Sequence, residues 1–219
     1  MKSFIFGKTT SHLPIPAYSF GSSGHRVLIL GGVHGDEIEG VIAAHGLLDK
    51  FCKSFSYKLK VDLVPAFNLD GVLNRSRVNQ NGVDLNRNLP TSDWTSQVAS
   101  ERYYPGKEAN SESENQALVD YIEEKQPQFI LSLHSWKPML NTNGRCKKIA
   151  ETIAKYTGYE IKDSIGYPTP GCLGTYCGIE RDMPTLTYEV ERGLNSSAIL
   201  STHVKAILEG LKSAEESIS

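Results

Sequence analysis

Three short segments, far apart in the chain, carry side chains that could do chemistry: Gly31-Gly32-Val33-His34-Gly35-Asp36-Glu37, Leu133-His134-Ser135 and Thr187-Tyr188-Glu189. His34 and Glu37 sit three residues apart in a glycine-flanked strand-to-helix turn, a spacing that lets both side chains point toward one centre. His134 ends a second apolar run, Ile130-Leu131-Ser132-Leu133, where a buried imidazole needs a partner. Two imidazole nitrogens and one carboxylate make the donor set of a catalytic zinc site, because three protein ligands leave the fourth position open. Glu189 closes a third apolar run. It is either an edge or ion-paired glutamate or a base: a carboxylate partly withdrawn from water has a raised pKa, suited to moving a proton from water to a leaving nitrogen. Glu191 shares its strand face if the strand continues that far, and is the rival candidate.

Asp84-Leu85-Asn86-Arg87-Asn88 could be only a polar turn, yet Asn86 and Arg87 together also make a carboxylate clamp, since a guanidinium offers a fork of donors. Arg75 and Arg77 lie nearby, and either could face the oxyanion of a tetrahedral intermediate. Tyr167, in Gly166-Tyr167-Pro168-Thr169-Pro170-Gly171, is a loop aromatic whose hydroxyl reaches a substrate terminus if that loop lines the cleft. His12, His25, His45 and His203 lack such contexts and read as surface or hydrogen-bonded core residues.

The elements that must position these residues alternate along the chain. Val27–Leu30 is a short continuous apolar run, the mark of a strand buried on both faces, and a helix is expected from Asp36 to Phe51 with Ile38, Val41, Ile42 and Leu48 on one side. Lys58–Pro65 alternates, with Leu59, Val61 and Leu63 on one face. Ser111 and Glu114 have the spacing of a capping box ahead of a helix through Lys125. Phe129–Leu133 reads as another buried strand, Cys146 to Ile153 as a helix ended by Gly158, and Leu186–Val190 as a strand. Ile199, Leu200, Val204, Ile207, Leu208 and Leu211 form the stripe of a last helix. This alternation predicts one α/β domain over residues 1–219, a mixed sheet with helices on both faces, whose site gathers at the carboxyl ends of strands. Leu89–Asn110 is the one long irregular stretch, with Trp94, Tyr103 and Tyr104; it is either mobile or builds a binding wall.

A formal net charge of −2 gives no basic excess, so neither nucleic acid nor an anionic membrane is the expected partner. No run approaches the roughly 18 apolar residues of a membrane span. The start of the chain lacks the apolar stretch of a secretory signal, and a cytoplasmic location is expected. Cys52, Cys146, Cys172 and Cys177 show no Cys-x-x-Cys spacing and read as buried or partly buried thiols, although Cys172 and Cys177 could pair if oxidised.

From about Gly31 to Gly193 the chain resembles the zinc carboxypeptidases of the carboxypeptidase A type. His34 and Glu37 match that family's His-x-x-Glu pair and His134-Ser135 its third ligand. Asn68-Leu69-Asp70-Gly71 resembles its Asn-Pro-Asp-Gly turn with Leu69 replacing proline, and Gly82 to Asn88 matches the stretch whose Asn-Arg pair holds a terminal carboxylate. Thr187-Tyr188-Glu189-Val190 matches the strand of the general base. The resemblance implies one Zn²⁺ per chain, Glu189 as base, Arg77 rather than Arg75 at the oxyanion, Asn86 and Arg87 at the substrate carboxylate and Tyr167 as the mobile tyrosine, matched by loose spacing. Within the family, the His-Gly-Asp-Glu form and Thr169-Pro170-Gly171-Cys172-Leu173-Gly174 look most like small bacterial murein peptide amidases, although a serine is common where Cys172 stands. That likeness implies a small peptide substrate cut at its γ-D-glutamyl–meso-diaminopimelate bond. Acyl-amino-acid hydrolases of the succinylglutamate desuccinylase and aspartoacylase group share the zinc ligands and the Asp-Leu-Asn-Arg stretch, but the run through Leu89-Pro90 favours the peptidase side. A non-catalytic peptide-binding relative would be expected to lose a ligand or the base, and all four residues are present.

Overall fold

The computed structural model describes residues 1–217; residues 218–219 of the expected domain lie outside it. β1 (Lys2–Lys8) and β2 (Pro14–Phe20) form an antiparallel hairpin. β3 (His25–Gly31) leads into α1 (Ile38–Lys53), and β4 (Leu59–Val64) into the short α2 (Leu69–Asn74). After the irregular stretch, α3 (Ser113–Lys125) precedes β5 (Phe129–Trp136), β6 (Met139–Asn143), α4 (Lys147–Thr157), β7 (Ile161–Lys162) and β8 (Thr185–Glu191). A final helical segment runs from α5 (Ser196–Ala198) through a π-helical stretch, Ile199–His203, into α6 (Val204–Ser217).

All eight strands lie in one mixed sheet of order β1-β2-β4-β3-β5-β8-β6-β7. The central four, β4-β3-β5-β8, are parallel, so their carboxyl ends share one edge. Helices cover both faces, as the alternation predicts. Val27, Ile29, Leu131 and Leu133 pack under α1, α4 and α6, while Leu28, Leu30 and Ile130 pack against α3 and the N-terminal hairpin. Leu59, Val61 and Leu63 share one face as expected, but the opposite face of β4 is buried too. Its Asp62 is held there by Arg26, Ser19 and Tyr121. Among the described residues no helix is long and apolar enough to cross a membrane.

Three local expectations fail for tertiary reasons. α1 begins at Ile38 rather than Asp36, because Glu37 at its N-cap spends its carboxylate in the site and makes no capping bond. Its core face is Val41, Ala43, Ala44, Leu47 and Phe51, with Ile38 exposed; small residues let it approach β5 so closely that a Cβ on Gly40 would lie 2.5 Å from the Leu133 carbonyl oxygen. The capping box does not form: α3 starts at Ser113, and the Glu114 carboxylate instead accepts the Thr10 N–H at 3.0 Å. Gly158 does end α4 in the left-handed region at φ 71°. In the last helix the π-helical turn puts Leu200 outside and turns His203 inward onto the Tyr188 hydroxyl. Cys146, Cys172 and Cys177 are buried thiols, but Cys52 is exposed.

Candidate active site

The β3–α1 turn, β5 and β8 converge at the carboxyl edge of the sheet. Tight packing fixes the turn: a Cβ on Gly35 would fall 1.9 Å from the Gly71 carbonyl carbon, in the Asn68–Gly71 turn that Asn68 caps by accepting the Gly71 N–H at 2.9 Å. There His34 Nδ1 lies 2.9 Å from Glu37 Oε1, His134 Nδ1 lies 2.9 Å from Glu37 Oε2, and the two Nδ1 atoms are 3.2 Å apart. All three side chains are buried. Tetrahedral ligands about 2.0–2.1 Å from a zinc ion stand roughly 3.3 Å from one another, so two nitrogens 3.2 Å apart, each 2.9 Å from one oxygen of the same carboxylate, fit that ion.

Two carboxylates behind the triad set its orientation and charge. Asp84 Oδ1 lies 3.1 Å from His34 Nε2, and its Oδ2 accepts Arg77 Nε at 2.9 Å. A carboxylate on the far ring nitrogen selects the tautomer that leaves Nδ1 free to ligate. Burial disfavours the Asp84 anion, but His34 and Arg77 outweigh it and hold its pKa well below the usual carboxylate range. Burial likewise opposes a charged Glu37, and the two imidazoles more than reverse that. Glu39, unsuspected from sequence, ties the ends of β5 and β8 together: it accepts Ser135 Oγ at 2.6 Å and the Gly193 N–H at 2.7 Å.

The register of β5 on β8 pairs His134 with Glu189, placing that carboxylate beside the triad. Glu189 is buried, its Oε2 has no hydrogen-bond partner among the described residues, and burial pushes its pKa up to about 7. Glu191 is exposed and lies outside the cleft. Arg75 is the exposed left-handed cap of α2, whereas Arg77 lies in the cleft with Nη1 3.2 Å from Glu37 Oε1.

Asn86 and Arg87 line the same cleft of about 310 Å³. Asn86 Oδ1 accepts the Leu173 N–H at 2.9 Å, which leaves its amide donors for a ligand, and the Arg87 guanidinium lies 5.4 Å from the Tyr103 ring centre. Gly171 makes the approach of the two segments possible: at φ +73° it sits where a Cβ would be 2.2 Å from the Arg87 carbonyl oxygen. Tyr167 stands at the mouth, edge-on to Trp136 at 5.7 Å and 6.4 Å from Tyr103.

The zinc carboxypeptidase family profile matches residues 1–155. The chain belongs to the zinc carboxypeptidase family. This zinc carboxypeptidase is 31% identical over 200 residues to murein peptide amidase A of Vibrio campbellii, covering 85% of this chain and 77% of that protein. Its fold superposes on the murein-tripeptide amidase of Escherichia coli O157 with a TM-score of 0.81 at 25% identity, covering 97% of this chain and 92% of that one. Carboxypeptidase A of Helicoverpa armigera shares the fold at a TM-score of 0.83 and 18% identity, over 99% of this chain and 68% of that one.

The zinc carboxypeptidase is thus a hydrolytic metallopeptidase. Zinc is its family's cofactor, and His34, Glu37 and His134 are the one group of three or more potential metal ligands among the described residues. The structure brings all eight residues singled out from sequence into one cleft. It adds Tyr103, Arg102, Trp136 and Arg192 to the lining and Asp84 behind it, of which only Asp84, in the Asp-Leu-Asn-Arg stretch, and Tyr103, an aromatic in the long irregular stretch, carried a signal. That stretch is a wall of the cleft.

Proposed function

We propose that this enzyme is a zinc-dependent amidase that hydrolyses the γ-D-glutamyl–meso-diaminopimelate bond of murein peptides, releasing diaminopimelate. In this reading it carries one zinc per chain and works in the cytoplasm on wall peptides being recycled. The likeness to murein peptide amidases supports it. One observation carries it further. Past Asn86 and Tyr167 the cleft opens into a second lobe of about 210 Å³ lined by Asn141, Asn143, Asp163 and Thr187. Asp163 is the charged side chain peculiar to that lobe, which suits a side chain ending in an ammonium and a carboxylate better than a plain apolar one.

His34, Glu37 and His134 would hold a zinc ion, which would supply Lewis acidity to the water and the scissile carbonyl. Glu189 takes the proton from the attacking water and returns it to the leaving nitrogen, a task that suits a carboxylate whose pKa burial raises. Arg77, oriented by Asp84, faces the carbonyl oxygen as negative charge develops there. Asn86 and Arg87 hold the free carboxylate of the released residue, so the bond cut is the one next to it. Tyr167 closes over that residue from the rim.

A substrate panel tests the reading. Zinc-loaded enzyme is expected to release diaminopimelate from L-Ala-γ-D-Glu-meso-diaminopimelate and to handle the lysine analogue less well, because lysine lacks the distal carboxylate that the polar groups of the lobe would bind. Turnover of N-succinylglutamate or N-acetylaspartate with the tripeptide left intact would move the chain to the acyl-amino-acid hydrolases.

A further inference from the structure

The cleft holds more positive charge than the chemistry above uses. Arg77 is committed to Asp84 and Glu37, and Arg87 to the released carboxylate. Two further arginines, Arg102 and Arg192, line the triad side of the cleft and take no part in the polar lobe beyond Asn86. Arg102 comes from the wall formed by the irregular stretch, and Arg192 directly follows β8. Both lean on Asp36, between the ligands His34 and Glu37: Arg192 Nη2 lies 3.2 Å and Arg102 Nη2 3.6 Å from Asp36 Oδ2. Arg192 Nη2 also donates to the Asp36 carbonyl oxygen at 3.0 Å.

One carboxylate cannot neutralise two guanidiniums. Asp36 acts as a post that aligns them, and each keeps donors turned to solvent, their side chains being 51% and 40% exposed. The pair therefore presents a net positive charge and forked donors on the acyl side of the scissile bond. That is where a γ-glutamyl substrate differs from a peptide with a neutral residue there: its free α-carboxylate is separated from the scissile carbonyl by three carbons, whereas a neutral residue offers no anion at that distance.

We propose that Arg102 and Arg192 form an acyl-side anion site that reads the free α-carboxylate of the γ-glutamyl residue. The proposal rests on the murein-peptide reading and makes the enzyme selective for an acidic acyl residue as well as for the residue it releases. A fork-to-carboxylate contact in a half-exposed site is worth about 10–100-fold in affinity.

The test compares two tripeptides, L-Ala-γ-D-Glu-meso-diaminopimelate and the same molecule with the glutamyl α-carboxylate amidated. Zinc-loaded wild type is expected to prefer the acid by about 10–100-fold in kcat/KM, mainly through KM. Arg192→Ala and Arg102→Ala each cut that preference, and the double variant brings it to about one. Arg192→Lys restores only part, since an ammonium lacks the fork. Arg102→Gln, at the more exposed position, gives the same direction of change with the least disturbance to folding, and zinc content confirms an intact site. An acid-to-amide ratio equal in wild type and double variant overturns the anion site while leaving the murein-peptide reading standing. If zinc-loaded wild type neither binds nor cleaves either tripeptide, that reading falls and the anion site with it.

Discussion

At the floor of the cleft each functional group is held by several others. Glu37 meets His34, His134, Arg77 and the Ser135 N–H, and Asp84 meets His34, Arg77 and the Asn86 N–H. At the rim, Tyr167 lies against Tyr103 and Trp136, Arg77 and Arg87 face the Tyr103 ring, and Arg102 and Arg192 share a single carboxylate. The floor is buried and over-determined, so its geometry is set before a substrate arrives. The rim is half-exposed, with side chains that can shift at little cost. In the proposed function chemistry falls to the first region and acyl-side selection to the second, and breaking the two should cost different things.

The largest effect is expected at the floor. His134→Ala should lose both zinc and activity to background, because a single imidazole and one carboxylate cannot hold the ion at useful affinity. Elemental analysis reads this directly, and a fully zinc-loaded His134→Ala protein would remove that residue from the ligand set.

Asp84→Ala should come next. It leaves Arg77 with Glu37 as its remaining counter-ion, at about 1–3 kcal/mol by urea unfolding, and frees His34 Nε2, weakening zinc binding about 10–100-fold. The pH dependence has a definite sign. A carboxylate whose folded pKa is depressed adds stability that is present above its unfolded value near 3.9 and lost as pH falls through its folded value. The part of the gap that comes from the Asp84 carboxylate itself should therefore be lost only in strong acid, while the part by which Asp84 favours a protonated His34 in the metal-free protein shrinks as pH rises through the His34 pKa; a gap that does not fall in strong acid would mean that Asp84 is not the group responsible.

Arg87→Ala should cost about 1.5–3 kcal/mol in kcat/KM on substrates whose released residue has a free carboxylate. A substrate amidated there should barely distinguish variant from wild type, and equal losses on both would make Arg87 a structural residue.

The smallest effect sharpens the comparison from within the floor. In the metal-free protein Glu189 should titrate near 7, raised by burial. A bound dication favours the carboxylate, so zinc loading should lower that pKa. Because the carboxylate is the active form, the acid limb of the rate profile should lie below 7. Carbon NMR of labelled Glu189 with and without zinc checks both statements, and an unchanged pKa would place Glu189 away from the metal.

The residues of the floor were largely legible in the sequence because buried parallel strands read as continuous apolar runs that end in polar residues. Leu30 before the His34 turn, Leu133 before His134 and Tyr188 before Glu189 all follow this rule. The outer strands were not. β2 carries Pro14 and Pro16, which obscure its alternation, and β7 is only two residues long. Nor does a local pattern reveal partners made in three dimensions. The Glu114 carboxylate goes to Thr10 rather than to its own helix, Asp84 reads as a turn residue until His34 and Arg77 meet it, and Glu39 looks like an ordinary helix glutamate. The rim was least legible, because Arg102 and Arg192 become neighbours only through Asp36.

The division between floor and rim stands or falls on Glu189, the buried carboxylate beside the triad that is not one of its three ligands. Zinc content and diaminopimelate release should be measured on the same sample of Glu189→Gln. The account predicts one zinc per chain, an unchanged fold and a rate at least about 10²–10⁴-fold below wild type. A Glu189→Gln enzyme that keeps its zinc and still turns over at the wild-type rate would contradict it.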